Sequence, residues 1–499
     1  MNRAVAALAA LVTAGTLLAL PAGAQARRPT APVVVVVLDE LPLVSLLDRR
    51  GRIDPVRYPN LAALARNVTW YANATTPSDA SKLAIPSILD GRTPKVGRPA
   101  TYRGHPRNLF TMLHARGYRL KVGEEATSLC PYRGCRRRHN AHYFLSRDRR
   151  GRFERFIDSI GNSERPTLYY KHALLPHVPW VFTPSLRRYD RSVLGPIPGL
   201  TSSDRSVFDR TLVRQSWQRH LLQVGAADAL VGRLIARMKQ TGIYDRAALV
   251  VMSDHGVSFR ARATDRRTIV PGNAFDIAPI PLFVKAPGQR RGRLSRAMVR
   301  TYDVLPTVAR QIGLRLPRGL SGRAATSAKV RRRGRVSVLS RAPIHRLTFS
   351  RGGLAGGRKR ALRRKLGLFG SGGRSLLDFG PNRPLRARPL SALRVLGRGR
   401  LRATLNEARS YDWVSRRSDF VPVHVTGRIS GGRRGARRNV AVAVNGRIWG
   451  VSRSVHVRGD RAEYYSVLVS EDVLVEGRNT IEVFSVHRKR GKYVLRRLR

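Results

Sequence analysis

Long apolar runs that stop abruptly on polar or acidic residues are the clearest pattern along this chain. Residues 33–38 are five valines and a leucine, followed by Asp39 and Glu40. Residues 248–252 form a second run, which leads into Ser-Asp-His-Gly at 253–256. Such runs are typical of central parallel strands that are covered on both faces. Functional groups collect beyond the carboxyl ends of such strands, so the pattern predicts an α/β sheet with a site at that edge.

The two strand ends carry side chains that bind metal ions. Asp254 offers a carboxylate oxygen and His255 an imidazole nitrogen, and Gly256 lets the backbone turn so that both can face one point. Asp39 and Glu40 offer further oxygens directly after the most apolar strand. We therefore predict a metal site at the sheet edge. The alternative for the Asp-His pair is an ordinary polar turn.

A hydroxyl-rich loop precedes a segment with helical spacing. The loop holds Ser78 and Ser81, and residues 81–92 carry the apolar positions of a helix. A hydroxyl at a helix N-terminus is well placed to act as a nucleophile, because backbone N–H groups and the helix dipole stabilise an alkoxide and a bound oxyanion. The alternative is that either serine only caps the helix.

Two further patterns describe the remaining elements. Apolar residues recur every three or four positions from Trp217 to Met238, which predicts a long amphipathic helix packed on the sheet. Beyond residue 420, short strands alternate with turns, and the Asn-Gly at 445–446 is a strong hairpin signal. This second pattern predicts a small β-sandwich.

The net charge of the chain predicts the kind of partner that it binds. The 499 residues include 95 Lys and Arg against 31 Asp and Glu, a net charge of +64, yet 42% are hydrophobic, which excludes a disordered polycation. This charge favours anionic partners: phospholipid headgroups, wall polymers or nucleic acid. The alternative is a general arginine bias, since arginines occur almost everywhere. Without a recognition motif for nucleic acid, we predict no specific nucleic-acid partner and peripheral association with a membrane or wall.

The N-terminus and the cysteines indicate the compartment. Arg3, an apolar stretch over residues 4–20 and small residues over 22–26 are typical of a cleaved signal peptide, with an uncleaved anchor as the alternative. No other segment of the sequence is predicted to cross a membrane. In an exported chain, Cys130 and Cys135 are expected to form a disulfide. Half of a zinc site is the alternative for this cysteine pair.

The acid after the first strand, the hydroxyl ten residues before Gly-Arg and the late Ser-Asp-His-Gly together resemble the alkaline phosphatase superfamily. Within it, they are most similar to the sulfatase-like hydrolases and transferases. Ser81 stands at the family's nucleophile position, and Leu-Asp-Gly-Arg at 89–92 matches the end of its motif. Leu83 and Ile85 replace the proline and arginine that direct conversion to formylglycine. The resemblance therefore implies an unmodified serine, as in the phosphoglycerol and phosphoethanolamine transferases.

The resemblance, which covers roughly residues 33 to 323, also implies roles for particular residues. One divalent metal is implied, because two-metal relatives need extra histidines that are absent between His255 and Arg323. Its identity stays open among manganese, magnesium, zinc and calcium. His177, in Pro-His-Val-Pro, is similar to the family histidine that contacts the transferred group, and His172 is a weaker candidate that we expect to be structural. The implied metal ligands are Asp39, Asp254, His255 and Ser81, with Glu40 as a fifth ligand or outer acid, and the candidate contacts to the substrate anion are His177, Lys82 and Lys285.

The sequence thus predicts an alkaline-phosphatase-like, mixed but largely parallel sheet sandwiched by helices, plus a C-terminal all-β, sandwich-like domain. The predicted organisation is a signal peptide over residues 1–26, a catalytic domain over 30–325, a basic Gly/Arg-rich linker over 326–410 and an accessory domain over 411–499.

The predicted function is that of an exported, metal-dependent hydrolase or transferase. It would act on an anionic phosphate or sulfate ester through Ser81 and a covalent intermediate. The alternatives are a true sulfatase with a serine-derived formylglycine and a catalytically decayed polyanion-binding protein.

Overall fold

The computed structural model describes residues 31–133, 135–136, 148–191, 209–261, 265–397, 399–457 and 460–499. The predicted signal peptide lies outside these residues. None of the helices formed by the described residues combines the length and the apolar character needed to cross a membrane.

Nineteen strands are numbered here in chain order. They are β1 Val33–Asp39, β2 Thr69–Tyr71, β3 Arg119–Gly123, β4 Cys135–Arg136, β5 Thr167–Pro176, β6 Ala248–Ser253, β7 Leu282–Lys285, β8 Arg293–Ser295, β9 Arg335–Arg341, β10 Ile344–Ser350, β11 Arg394–Leu396, β12 Arg402–Ala403, β13 His424–Ser430, β14 Asn439–Val444, β15 Arg447–Arg453, β16 Val455–His456, β17 Glu463–Leu468, β18 Ile481–Lys489 and β19 Lys492–Arg497. All of these lie within the described ranges.

The α-helices of the described residues are numbered in the same way. They are α1 Leu43–Leu46, α2 Pro59–Ala65, α3 Ser81–Asp90, α4 Leu109–His114, α5 Arg149–Asp158, α6 Arg210–Gln240, α7 Ala274–Ile277, α8 Val304–Ile312, α9 Ala328–Arg331 and α10 Arg351–Phe369.

An eight-stranded sheet with the order β4-β3-β5-β1-β6-β7-β2-β8 is the centre of the first three hundred residues. All neighbours are parallel except that β7 runs antiparallel to both β6 and β2. Strand β1 lies between β5 and β6, and all seven of its residues are buried. Alternate valines of β1 enter the apolar cores on the two faces of the sheet. The predicted central, doubly covered parallel strand is confirmed.

Helix α6 is the long amphipathic helix that the spacing predicts, and it packs on one face of the sheet. Its first turn is capped by Asp209, whose side chain accepts hydrogen bonds from two backbone N–H groups. Farther along the helix, the carboxylate of Asp228 accepts hydrogen bonds from the backbone N–H groups of Asn60 and Leu61. Because these residues open α2, this contact joins α2 to α6 on one face of the sheet.

The region predicted to be a linker is folded. It contains the hairpin β9–β10 and helix α10, whose first turn is capped by the Ser350 side chain. Leu354, Ala361 and Phe369 are buried along one side of α10. At Gly357 a Cβ atom would lie 2.2 Å from the ring of Phe275, so only glycine allows this close approach. The small residues that suggested a flexible linker therefore serve helix packing.

Two sheets form the C-terminal part of the chain. One has the order β11-β19-β18-β14-β15 and the other β12-β13-β17-β16. Val442 and Val483 of the first sheet share an apolar core with Val425 and Val467 of the second, so the two sheets face each other as a sandwich. Strands β11 and β12 come before residue 411, so these sheets recruit chain from the segment predicted as linker.

Candidate active site and metal centre

The carboxyl ends of β1 and β6 bring the predicted metal ligands together. Asp39 is the last residue of β1, and Asp254 and His255 directly follow β6. The Asp254 N–H donates to the Leu38 carbonyl over 3.1 Å, which continues the pairing of the two strands. Asp254 Oδ1 accepts from the N–H groups of His255 over 2.6 Å and Glu40 over 3.3 Å. The parallel register thus places both acids at one point.

Ser81 opens helix α3 at this same point. Its Oγ donates to Asp39 Oδ2 over 3.3 Å and lies 3.1 Å from His255 Nε2. His255 Nδ1 is 2.9 Å from the Gly256 carbonyl, so Nδ1 carries the proton and Nε2 points its lone pair into the site. Three sequence-predicted groups, a hydroxyl, a carboxylate and an imidazole, are therefore in mutual contact.

The loop before Ser81 is fixed by the buried carboxylate of Asp79. It accepts hydrogen bonds from the Ile269 N–H, the Ser340 hydroxyl and the Arg341 N–H, each over 3.0 Å. Two of these donors belong to β9, in the region predicted as linker. The position of the serine therefore depends on chain that the sequence placed outside the catalytic domain.

The buried oxygens of Asp39 and Asp254 fit a divalent cation. Among the described residues, Asp39 Oδ1 and Asp254 Oδ2 are buried and make no hydrogen bond. Ligand atoms of Asp39, Asp254 and His255 all lie within 4.8 Å of one another. Burial of a charged oxygen without a partner is costly, and a bound cation would remove that cost. The donor set is thus one that could hold a divalent metal.

The pKa values of the two acids in this cluster are shifted in opposite directions. Burial disfavours the charged form of Asp39, but His177, His172 and His255 outweigh it, and the pKa of Asp39 lies well below its usual value. Burial, reinforced by the charge of Asp39, raises the pKa of Asp254 to about 6. Two carboxylates this close cannot both ionise easily unless a cation lies between them.

A second carboxylate cluster lies beside the first and contains Glu40 and His177. The Glu40 carboxylate accepts from Arg266 Nη2 over 2.9 Å and from Arg266 Nε over 3.2 Å. His177 Nε2 lies 3.4 Å from Glu40 Oε1 and 3.4 Å from Arg266 Nη2. Burial opposes ionisation of Glu40, yet Arg266 and His177 lower its pKa to about 2. Glu40 is therefore an ionised acid already paired with protein cations.

Buried side chains donate hydrogen bonds to the backbone of the loop that carries His177. Arg149 is buried and donates to the carbonyls of His177 and Val178 over 2.5 and 2.7 Å. Gln223 of α6 also donates to the His177 carbonyl, over 3.0 Å. Burial lowers the pKa of His177 to about 4. At neutral pH this histidine is an uncharged ring held in one place at the edge of the site.

Sequence reasoning missed Arg266 and ranked His172 too low. Arg266 lies in the loop after β6, where a run of basic residues was the available signal. His172 was expected to be structural, but its Nε2 lies 3.3 Å from Asp39 Oδ2 and 3.8 Å from Asp254 Oδ2. Its place in β5, next to β1, could not be read from the sequence without the strand order.

The two candidate lysines lie in different places. Lys82 is exposed and follows Ser81 at the start of α3, so it stays a candidate for substrate contact. Lys285 is not at the site. Because β7 runs antiparallel to β6, Lys285 pairs with Leu249 near the opposite edge of the sheet, where its Nζ donates to the Asp245 carbonyl over 2.8 Å. This placement contradicts the prediction that Lys285 contacts the substrate anion.

The cysteines form one close pair. Cys130 and Cys135 have Cα atoms 6.2 Å apart, and Cys135 begins the edge strand β4. The loop before them is organised by Glu124, whose carboxylate accepts from the N–H groups of Leu129 and Cys130 over 3.0 Å. The pair thus lies at the edge of the sheet beside β3.

The family model for sulfatases matches residues 33–314, more than half of the chain. The chain belongs to the sulfatase family. It is 24% identical over 170 residues to an ulvan-active sulfatase of Formosa agariphila, covering 34% of this chain and 32% of that protein. It is 26% identical over 121 residues to the multifunctional alkaline phosphatase superfamily protein PehA of Trinickia caryophylli, covering 24% of this chain and 23% of that protein.

A solved structure supports the family fold. A protein in complex with its substrate D-glucosamine-2-N,6-O-disulfate superimposes with a TM-score of 0.51 at 13% identity, covering 64% of this chain and 87% of that chain. At this identity the likeness shows the fold alone. The chain spans about a third or less of the length of the curated relatives it matches.

Proposed function

We propose that this sulfatase-family chain is an exported, metal-dependent enzyme that hydrolyses or transfers phosphate or sulfate esters, with Ser81 as its nucleophile. One observation carries the proposal. The Ser81 hydroxyl, at a helix N-terminus, lies 3.3 Å from Asp39 Oδ2 and 3.1 Å from His255 Nε2, beside two buried carboxylate oxygens that make no hydrogen bond within the described chain.

In the proposed reaction, Ser81 Oγ forms a bond to the phosphorus or sulfur atom of the ester. The bond from that atom to the alcohol oxygen breaks, and the alcohol leaves after taking a proton from solvent. A phosphorylated or sulfated Ser81 remains, and water or a second alcohol attacks it to release the group. The Ser81 proton leaves along its hydrogen bond to Asp39 Oδ2 and passes from there to solvent. The water or second alcohol likewise loses a proton to solvent when it attacks.

Asp39, Asp254 and His255 are the proposed ligands of the cation, with Ser81 as the fourth. When bound, a divalent cation lowers the pKa of a hydroxyl and offsets the charge of an anionic ester. Arg266 is proposed to donate to the oxygens of the transferred group, where charge develops in the transition state. His177 Nε2 lies 3.4 Å from Arg266 Nη2 and joins it as a donor when the ring takes up a proton. Lys82 is an exposed cation at the entrance.

Ser81 is proposed to act as a serine. The positions that hold proline and arginine in the formylglycine motif hold Leu83 and Ile85, and both are buried. Ile85 belongs to the apolar core on one face of the sheet. Mass spectrometry of the Ser81 peptide distinguishes the two nucleophiles. An unmodified serine mass supports the proposal, whereas an aldehyde mass would assign the chain to the formylglycine sulfatases.

Export is the proposed context of this activity. The 6.2 Å between the Cα atoms of Cys130 and Cys135 is typical of a disulfide, which forms in oxidising compartments. With a charge of +64, the exported protein is proposed to associate with anionic lipid or wall polymer. Thiol titration of the denatured protein, with and without reductant, checks the disulfide: no thiols are expected before reduction and two after it.

The main test measures turnover of bis-p-nitrophenyl phosphate and p-nitrophenyl sulfate. Ser81→Ala is expected to abolish turnover of whichever ester is the substrate, with thermal unfolding unchanged. Ser78→Ala is the matched control, because Ser78 is a buried loop serine that does not touch the metal cluster. Equal activity of wild type and Ser81→Ala would refute the assignment of the nucleophile. No turnover of either ester by wild type with any cation would favour the polyanion-binding alternative.

A further inference from the structure

His172 is a buried histidine that points into the cation cluster from a third strand. It lies in β5, where it pairs with Val37, two residues before Asp39. The side chain has no exposed surface, and its Nε2 lies 3.3 Å from Asp39 Oδ2 and 3.8 Å from Asp254 Oδ2. Within the described part of the chain, neither of its ring nitrogens makes a hydrogen bond.

Four polar atoms in this small space therefore have no hydrogen bond. They are both ring nitrogens of His172, Oδ1 of Asp39 and Oδ2 of Asp254. Buried polar groups are nearly always partnered, so a cluster of exceptions points to an atom that joins them. One cation could be coordinated by one ring nitrogen and both carboxylates. Resting on the proposed function, we propose that His172 Nε2 is a further ligand of the divalent cation held by Asp39, Asp254 and His255.

His172 Nε2 lies close to one oxygen of each acid. Two ligands about 2.1 Å from one metal ion lie about 3–4 Å from each other. Around Asp254 Oδ2, His255 Nε2 lies at 3.5 Å and His172 Nε2 at 3.8 Å. Asp39 Oδ2 lies 3.3 Å from His172 Nε2. Each of the three strands β1, β5 and β6 thus brings a candidate ligand to this cluster.

A simple hydrogen bond from His172 to Asp39 is the competing role. At 3.3 Å, the His172 Nε2 contact with Asp39 Oδ2 falls short of a well-formed charge-assisted hydrogen bond, which is about 2.7–2.9 Å long. A histidine with that role would only orient Asp39 and would not touch the metal. The two roles predict different chemistry, because a second imidazole shifts the preference of the site toward zinc and away from the oxygen-seeking magnesium and calcium ions.

The deciding experiment uses the full-length wild-type protein loaded with Zn²⁺ alone. X-ray absorption at the zinc edge is expected to show two imidazoles, from His255 and His172. One imidazole would overturn the proposal without any variant, and so without any question of folding. A wild-type protein that binds neither Zn²⁺ nor Mn²⁺ would refute the proposed metal dependence, which is a separate outcome that overturns both.

Variants then separate ligation from orientation. His172→Gln is expected to lower the Zn²⁺ affinity by more than about 100-fold and the Mg²⁺ affinity by less than about 10-fold, measured by chelator competition. His424→Gln is the matched control, because His424 is also buried but bonds to Ser466 in the C-terminal sheets. It should leave both affinities unchanged. An equal loss of Zn²⁺ and Mg²⁺ affinity in His172→Gln would mean that His172 only positions Asp39.

Discussion

Two carboxylate clusters lie side by side at the end of β1, and they differ in how their charge is balanced. Glu40 is buried and accepts hydrogen bonds from Arg266, with His177 beside it. Asp39 and Asp254 are equally buried, yet one oxygen of each makes no hydrogen bond within the described residues. Protein groups balance the charge of Glu40, whereas Asp39 and Asp254 each keep one buried oxygen without a hydrogen bond from the described residues. Two acids that are adjacent in sequence therefore have different chemical roles.

The largest expected effect comes from removing a charge from the cluster of Asp39 and Asp254. Asp254→Asn should lower the affinity for Mn²⁺ or Zn²⁺ by at least about 100-fold, because a ligand is lost, and should abolish ester turnover. Cation at 100 times its dissociation constant should stabilise the wild type by about 2.7 kcal/mol, and this gain should disappear. Thermal unfolding of the wild type and the variant, each with and without the cation, measures this stabilisation.

A buried acid elsewhere provides the control for Asp254→Asn. Asp228→Asn weakens the contact between α6 and α2 but leaves the cation cluster intact. It should lower stability and keep the full cation-induced gain. If Asp254→Asn also keeps that gain, the cation does not bind at the cluster of Asp39 and Asp254.

Breaking the cluster of Glu40 and Arg266 should affect stability more than cation binding. Arg266→Gln leaves Glu40 buried without its main partner, which is expected to destabilise the protein by about 3–5 kcal/mol in urea unfolding. The double variant Glu40→Gln with Arg266→Gln should recover most of that loss, because the unpaired charge is gone. Cation affinity, measured on the same samples, should change little.

Arg267 is the matched control for this pair. Its side chain is 36% exposed and its Nε lies 3.8 Å from Glu40 Oε1. Arg267→Gln should cost less than about 1 kcal/mol, as expected for a partly solvated pair. Equal losses of stability in Arg266→Gln and Arg267→Gln would show that the net positive charge of the protein balances Glu40, and not one guanidinium.

Lys365 tests the converse case, a buried cation that forms an ion pair with no carboxylate among the described residues. Its Nζ donates to the carbonyls of Ser45 and Leu47. Burial, with Arg57 nearby, lowers its pKa to about 7, although Asp54 and Asp48 partly oppose this.

Between pH 7 and 10.5 the unfolded chain therefore binds the Lys365 proton and the folded chain does not. Stability from this group should rise with pH across that window, by at most about 1.4 kcal/mol per pH unit. Lys365→Met should remove that slope, measured as the difference between wild-type and variant urea unfolding from pH 7 to 10. Identical slopes would show that the ammonium is not desolvated.

The sequence predicted the parts of the site that depend on strand ends. A buried strand that ends in an acid has only one edge at which that acid can lie. The apolar runs therefore pointed to Asp39, Asp254 and His255, and the family resemblance decided between a metal site and a polar turn. His172 and Arg266 depend on strand order and on the path of a loop, which no local pattern encodes. Lys285 was misplaced for the same reason, since the antiparallel direction of β7 is a property of the whole sheet.

The predicted linker shows a different limit. Residues 351–365 are rich in arginine, lysine, glycine and alanine, a composition that predicts an exposed linker or arm. In the folded chain they lie in α10, where Gly357 allows a close approach to the ring of Phe275, and this contact outweighs the low helix preference of glycine. Composition therefore predicted the surface charge of this segment and missed its packing.

The anchoring of Asp79 has a consequence for how this protein can be divided. Asp79 is bonded to Ser340, 261 residues later in the chain. A fragment cut at the end of the family match would keep the serine, the acids and the histidines, yet would lack two of the three donors that hold the serine loop. During synthesis, too, the nucleophile emerges long before its support. The smallest piece of this protein that can be expected to work is therefore set by β9, well beyond the last residue that carries chemistry.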